Sequence, residues 1–407
     1  MNRRERVLRS LNFEELPTAP LDLGGMRSTG ISAFAYPRLV QALGLPPRPP
    51  RIHDTGQMLA LPDVDVLDAL DCDVVVVESD TMLTNAFEQP ERWKPYDFNG
   101  RLEAMVQWPG NFSVKADGTI LHNEWSSMPA KGFVFNAEHA GQILQLEGDL
   151  PKPDLNQIRE RQEKKQITKE RLDEIEALCK KARESTDRAI LFAGPKAGLG
   201  VGAYGGIVMF PMLCVMEPDF VSELHELQTA HQLKQAQAVL ERVHPYIDVY
   251  LVSADDWGNQ NQLVASGQVY RDLFKPGYQR FNEMIHTVAP EVKTYLHSCG
   301  AIYDLIDDLV ESGFDVLNPV QWNAGGHSYR EWKDKARNRI ALWGGGVDTQ
   351  KTLPLGSVED VRAEVAEVVE YFAKDGGFVF CGIHNLLAET DAEKIVAMYE
   401  TAKSVTV

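Results

Sequence analysis

His297 and Cys299, in Leu296-His-Ser-Cys-Gly300, stand two residues apart, so on an extended strand their side chains share one face. An imidazole and a thiol placed together suit a borderline-soft, tetrahedral ion such as zinc. Cys381 follows the run Gly377-Phe-Val-Phe380 as the pair follows its own run, and it is expected to close on the same ion from another strand. Three protein ligands leave a fourth position open, the form that catalytic rather than structural zinc takes. Cys72, Cys179 and Cys214 have no His or Cys partner nearby and read as small packing residues.

Other polar residues follow apolar runs in the same manner. Asp255-Asp256 suits acid/base work, since adjacent carboxylates in a cleft can have separated pKa values. Neighbours on a strand face opposite sides, so one of the two is expected to face the pocket and the other to meet a backbone donor. His384, in Cys381-Gly-Ile-His384-Asn385, is a candidate base or substrate donor. Asn318, Gln321 and Asp348 are candidates for hydrogen bonds around a substrate, with Trp257 and Trp322 as a possible aromatic wall. Gly200-Val-Gly-Ala-Tyr-Gly205 has a dinucleotide-binding spacing but does not directly follow its strand, and it reads as a strand-to-helix loop.

These residues need a frame that brings them to one edge. Short β-branched runs alternate with helical patterns at Ala189–Ala193, Asp248–Val252, Val292–Leu296, Asp315–Leu317, Ile340–Trp343 and Gly377–Phe380; Leu21–Gly24 and Val74–Glu78 add two more. Eight strands alternating with helices predict an α/β fold, a (β/α)8 TIM barrel, whose chemistry lies at the carboxyl ends of its strands. An open doubly wound sheet is the alternative. The whole chain, 1–407, reads as a single barrel domain with an insertion at about 93–187. That insertion has a β-hairpin around Asp117-Gly118 and a charge-rich helical stretch over 151–187, the extra helices of the N-terminal half.

Composition narrows the partners. The 407 residues carry a formal net charge of −18, which repels phosphate backbones and anionic lipid and disfavours nucleic-acid and membrane-surface roles. No apolar stretch reaches the length of a membrane span, and no signal peptide is legible. Five widely spaced cysteines argue against a disulfide framework. A cytoplasmic protein with reduced thiols is expected.

Leu296-His-Ser-Cys-Gly300, Asp315-Val-Leu-Asn-Pro-Val-Gln321 and Asp255-Asp-Trp-Gly258 with Phe274-Lys-Pro276 resemble the uroporphyrinogen decarboxylase superfamily, as do Arg3-Arg-Glu-Arg-Val-Leu8 and Pro20-Leu-Asp22. The resemblance implies a (β/α)8 barrel. The arginine-rich motif by which the decarboxylase proper grips porphyrinogen carboxylates is missing: Arg27 stands isolated in Leu21-Asp-Leu-Gly-Gly-Met-Arg-Ser-Thr29. The better likeness is to the cobalamin-linked methyltransferases of the methylcobalamin:coenzyme M type, whose His-x-Cys…Cys zinc set matches His297, Cys299 and Cys381. That likeness implies methyl transfer between a small methylated substrate or thiol and a corrinoid, or tetrahydrofolate. The chain has no Asp-x-His-x-x-Gly pattern of a corrinoid-binding domain, so a corrinoid would come on a separate protein. The alternative is a metal-free decarboxylase or lyase acting on a small carboxylated substrate.

Overall fold

Runs such as Val74-Val-Val-Val77 and Ala189-Ile-Leu-Phe-Ala193 are apolar on both faces, which is how a parallel strand covered on each side reads. In the computed structural model, which describes residues 1–79, 82–87, 90–124, 126–135, 148–150 and 152–406, seven such strands lie side by side in chain order. They are β1 (Val74–Glu78), β2 (Ala189–Ala193), β3 (Val249–Ala254), β4 (Lys293–His297), β5 (Val316–Asn318), β6 (Ala341–Trp343) and β7 (Phe378–Val379). Every neighbouring pair among them is parallel. Between them come α1 (Lys169–Ser185), α2 (Gly206–Met216), α3 (Pro218–Val243), α4 (Lys275–Val288), α5 (Ile306–Glu311), α6 (Tyr329–Ala336) and α7 (Val358–Ala373), with α8 (Ala392–Ser404) after β7. Capping boxes start α6 at Ser328 with Glu331 and α7 at Ser357 with Asp360, each satisfying orphan backbone donors of the first turn.

Alternation along the strands sorts their side chains into two cores. Val74, Ala189, Leu191, Val249, Leu251, Tyr295, Val316, Ala341, Trp343 and Val379 gather on the concave side of the curled sheet. Val75, Ile190, Tyr250, Leu296, Leu317, Leu342 and Phe378 pack outward beneath the helices. The helix Arg3–Leu11 adds Val7 and Leu11 to the concave cluster. Its Arg4 and Arg6 bind Asp248 and Asp73, the residues just before β3 and β1, which seats the helix at the amino ends of the strands. The fold is thus α/β and barrel-like, with the opposite, carboxyl edge left for polar residues.

The expected strand Leu21–Gly24 is reduced to a single bridging residue. Leu21 pairs with Phe380 beyond β7, and its carbonyl accepts from Asp73 N at 2.7 Å, beside β1. Gly24, at φ +75°, then turns the chain out of extended geometry. Before the expected insertion, Ile31–Ser32, Arg51–Asp54 and Leu59–Leu61 already join Lys94–Asp97 and Glu103–Val106 in a separate sheet. Phe112–Val114, Ile120–His122 and Ser126–Met128 form a three-stranded antiparallel sheet. Residues 125, 136–147 and 151 of the expected insertion lie outside the described residues.

Candidate metal centre at the carboxyl edge of the sheet

The parallel register brings strand ends level: His297 pairs with Ala254 on one side and with Asn318 on the other. Asn318 Nδ2 donates to the Trp343 carbonyl at 2.9 Å, which fixes the orientation of its amide. Its Oδ1 therefore faces His297 Nδ1, 2.7 Å away, so Nδ1 carries the proton and Nε2 keeps its lone pair. Ser28 Oγ donates to the same Oδ1 at 2.9 Å and lies 2.9 Å from Nδ1. The free Nε2 lies 3.3 Å from Cys299 Sγ. His384 joins them: one donor atom from each of His297, Cys299 and His384 lies within 4.8 Å of the others. Burial, with His297 adding to it, pushes His384 down to about 4, so it stands neutral at pH 7. Two imidazoles and a thiol fit a borderline-soft ion, and a cation there would offset the burial and the Asp256 charge that hold the Cys299 thiol well above its ordinary range. Asn318→Ala is expected to weaken zinc affinity roughly 10–100-fold, because it frees the ring to rotate and change tautomer; competition with a chromogenic chelator measures it, and an unchanged affinity would remove Asn318 from this role.

Cys381 is 1% exposed and packs in the concave core with Tyr295, Trp343 and Val379; it is not part of the compact trio. Burial, then the charge of Asp22, pushes its thiol well up. The compact donor spacing beside His297 and Cys299 is made by His384, which the sequence offered as a candidate base or substrate donor.

The two aspartates divide as strand alternation requires. Asp256 is the one at the trio: Oδ1 accepts from Cys299 N at 2.8 Å and lies 3.6 Å from His297 Nε2. Asp255 is buried, and its carboxylate accepts from Val201 N at 2.8 and 2.9 Å, so the glycine-rich loop closes over it. Burial pushes Asp255 up to about 8, against the Val201 hydrogen bonds and with a smaller push from Asp256. The folded state holds this proton at pH values where the unfolded chain, ionising near 4, has lost it. Stability therefore falls as pH rises from about 4 to about 8. Asp255→Asn should remove that component and gain on wild type across the interval; thermal melts at pH 5 and pH 8 would reveal it, and parallel pH slopes would count against it.

The remaining candidates serve the frame. Gln321 Oε1 accepts from Gly300 N at 2.7 Å and holds the turn after Cys299. At φ +89°, Gly300 passes so close to Gly258 that a Cβ would fall 2.2 Å from the Gly258 carbonyl, so only glycine allows the Cys299 turn to meet the Asp256 loop. Asp348 is buried and accepts from Asn323 Nδ2, Gln350 N and Lys351 N, which ties a turn. Trp257 is fully buried, edge-on to Tyr270 and Phe274, and is a core residue rather than a wall. Trp322 donates to the Gly345 carbonyl. Ser28 was not singled out from sequence; the turn after Leu21 is the first strand end, and a polar residue there is the signal that points to it. Arg27 binds Glu78 through Nε and Nη2 and Asp54 through Nη1, so the protein's own carboxylates engage its guanidinium.

An α/β protein of barrel type, with a polar cluster at the carboxyl edge of its strands, is the class these features define. The uroporphyrinogen decarboxylase (URO-D) family pattern matches residues 154–405, and the chain belongs to that family. Among solved structures, a methyltransferase from Methanosarcina mazei is similar over 99% of this chain and 98% of that one, with 17% identity and a TM-score of 0.56, a likeness of fold. An α-amylase from Geobacillus thermoleovorans is similar over 57% of this chain and 60% of its own, at 11% identity and a TM-score of 0.35, too distant to carry an argument. No curated protein matches the sequence. Among the described residues, no helix is long and apolar enough to cross a membrane.

Proposed function

We propose that this chain is a zinc-dependent methyltransferase that moves a methyl group between a small methylated substrate or thiol and a corrinoid on a separate protein, or tetrahydrofolate. The reading includes a closed (β/α)8 barrel in which the Leu21 segment, bridged to Phe380, takes the eighth place, working in the cytoplasm, where thiols stay reduced. The observation that carries it is the His297 Nε2–Cys299 Sγ approach of 3.3 Å, with the histidine tautomer already set by Asn318. His297 and Cys299 would hold zinc with a third donor from the segment after β7, which carries both Cys381 and His384. Zinc would supply Lewis acidity that keeps a substrate thiol deprotonated near neutral pH or polarises a methyl-bearing group.

The chain's own residues do the rest. Asp256, beside both His297 and Cys299, accepts the proton of an incoming thiol at Oδ1 or Oδ2. Asn318 and Gln321 hold the donor-bearing segments in place. The full-length methyltransferase fold of the Methanosarcina mazei protein supports the reading at the level of architecture. The engagement of Arg27 by Glu78 and Asp54 speaks against a polycarboxylate-gripping decarboxylase. The test is elemental analysis of protein purified without added metal or a histidine tag, followed by a panel of methoxylated aromatics, methylamines, betaines and methyl thiols assayed for methylation of reduced corrinoid. About one zinc per chain and metal-dependent formation of methylcorrinoid are expected. Failure to take up zinc on reconstitution would sink the proposal.

A further inference from the structure

We infer that Tyr295 is a positioning residue of the centre, its buried hydroxyl donating a hydrogen bond to the Cys381 sulfur once zinc holds that sulfur. This rests on the zinc reading, with Cys381 as the third donor, and refines it. Tyr295 stands two residues before His297 on β4, so the two side chains leave the strand on the same face. It is fully buried, and its hydroxyl has no hydrogen-bond partner among the described residues. A buried hydroxyl left unpaired is destabilising, and each such group in a folded protein calls for an explanation. Its ring meets Trp343 edge-on at 5.4 Å between centroids, which limits where the hydroxyl can point.

Cys381 shares the concave core with Tyr295 and borders the support of His297. Its Sγ and Asn318 Nδ2 flank one point beside Gly344, where a Cβ would meet them at 3.1 and 3.3 Å. The sulfur therefore lies next to the amide that sets the His297 tautomer. Burial, then the charges of Cys381 and Asp22, pushes the Tyr295 phenol well up, so it remains a protonated donor beside those two groups. Asp22 is already engaged: Oδ2 accepts from Trp343 Nε1 at 2.8 Å and Oδ1 from Gly25 N at 2.7 Å. Cys381 is the acceptor that remains. A thiol accepts weakly, whereas a metal-held thiolate is a charge-assisted acceptor, so the bond forms with loading. It draws electron density from the protein's own sulfur, which leaves the ion more Lewis-acidic and a substrate thiol the better nucleophile.

The experiment compares the whole wild-type chain with Tyr295→Phe, metal-free and then loaded with zinc or cobalt(II). The metal-free variant should melt no lower than wild type, since it loses only an unpaired hydroxyl. Its zinc affinity, read by competition with a chromogenic chelator, should fall roughly 10–100-fold, as when other groups that support a metal ligand are removed. The sulfur-to-cobalt charge-transfer band should move to longer wavelength, and Cys381→Ser should abolish the band that moves. Unchanged affinity and spectrum in Tyr295→Phe, or a shift that persists when it is combined with Cys381→Ser, would overturn the role of Tyr295 and leave the zinc reading standing. A wild type that binds neither zinc nor cobalt would overturn both.

Discussion

Cys299→Ala is expected to remove zinc and methyl transfer together while the fold survives. Cys299 follows β4 and is half-buried, so its truncation deletes one sulfur from the rim rather than opening a cavity in the core. A stability loss of no more than about 1 kcal/mol fits a change of that kind. The metal loses the only thiol within reach of His297 Nε2 in the compact trio, leaving the trio's two imidazoles, a weaker set for a soft ion. Lewis-acid assistance is worth several kcal/mol, so turnover should fall about a thousandfold or more. Elemental analysis, circular dichroism and turnover on the same preparation read all three quantities. A variant that kept its zinc but lost turnover would move Cys299 from ligand to another role.

How much of this was legible before the structure depends on how local the cause is. Strands β1 to β3 carry apolar residues on both faces within a few positions, and nothing distant is needed to recognise Val74-Val-Val-Val77 as buried. Arg51–Asp54 and Leu59–Leu61 are short, polar in places and defined by pairing with each other and with segments as far as Val106, so their own residues barely mark them. Leu21 was recognisable as apolar, but that its pairing stops after one residue follows from Gly24 and from its two partners at Phe380 and Asp73.

The site divides the same way. The His-x-Cys spacing needs only strand geometry. Alternation also said that Asp255 and Asp256 must part; which one faces the trio is decided by Val201, 54 residues upstream, whose N–H claims Asp255. For Cys381 the expectation came from its place just after an apolar run, matching that of the His-x-Cys pair; the structure packs it with Val379 in the concave core. His384 was visible only as a polar residue beyond a strand; its approach to His297 comes from loop anchors on Gly30 and Gln57, more than 300 residues away in sequence.

Asp256→Asn separates proton transfer from metal binding. The substitution is nearly isosteric, and an asparagine Oδ1 can still accept from Cys299 N, so the turn that presents the sulfur should hold. What it removes is a carboxylate 3.6 Å from His297 Nε2, the one acceptor beside the trio positioned to take a thiol proton among the residues described above. With its side chain 47% exposed, Asp256 can pass that proton to solvent, whereas buried Asp255, closed off under Val201, cannot. Loss of a general base typically costs 10²–10⁴-fold, so kcat with thiol substrates should fall by about that factor at unchanged zinc content. Asp256→Ala, which also gives up the Cys299 N–H, should lose zinc affinity in addition. The difference between the two variants is the measure that matters. Equal zinc loss in both would make Asp256 a support for the centre; full turnover in Asp256→Asn would send the proton directly to water.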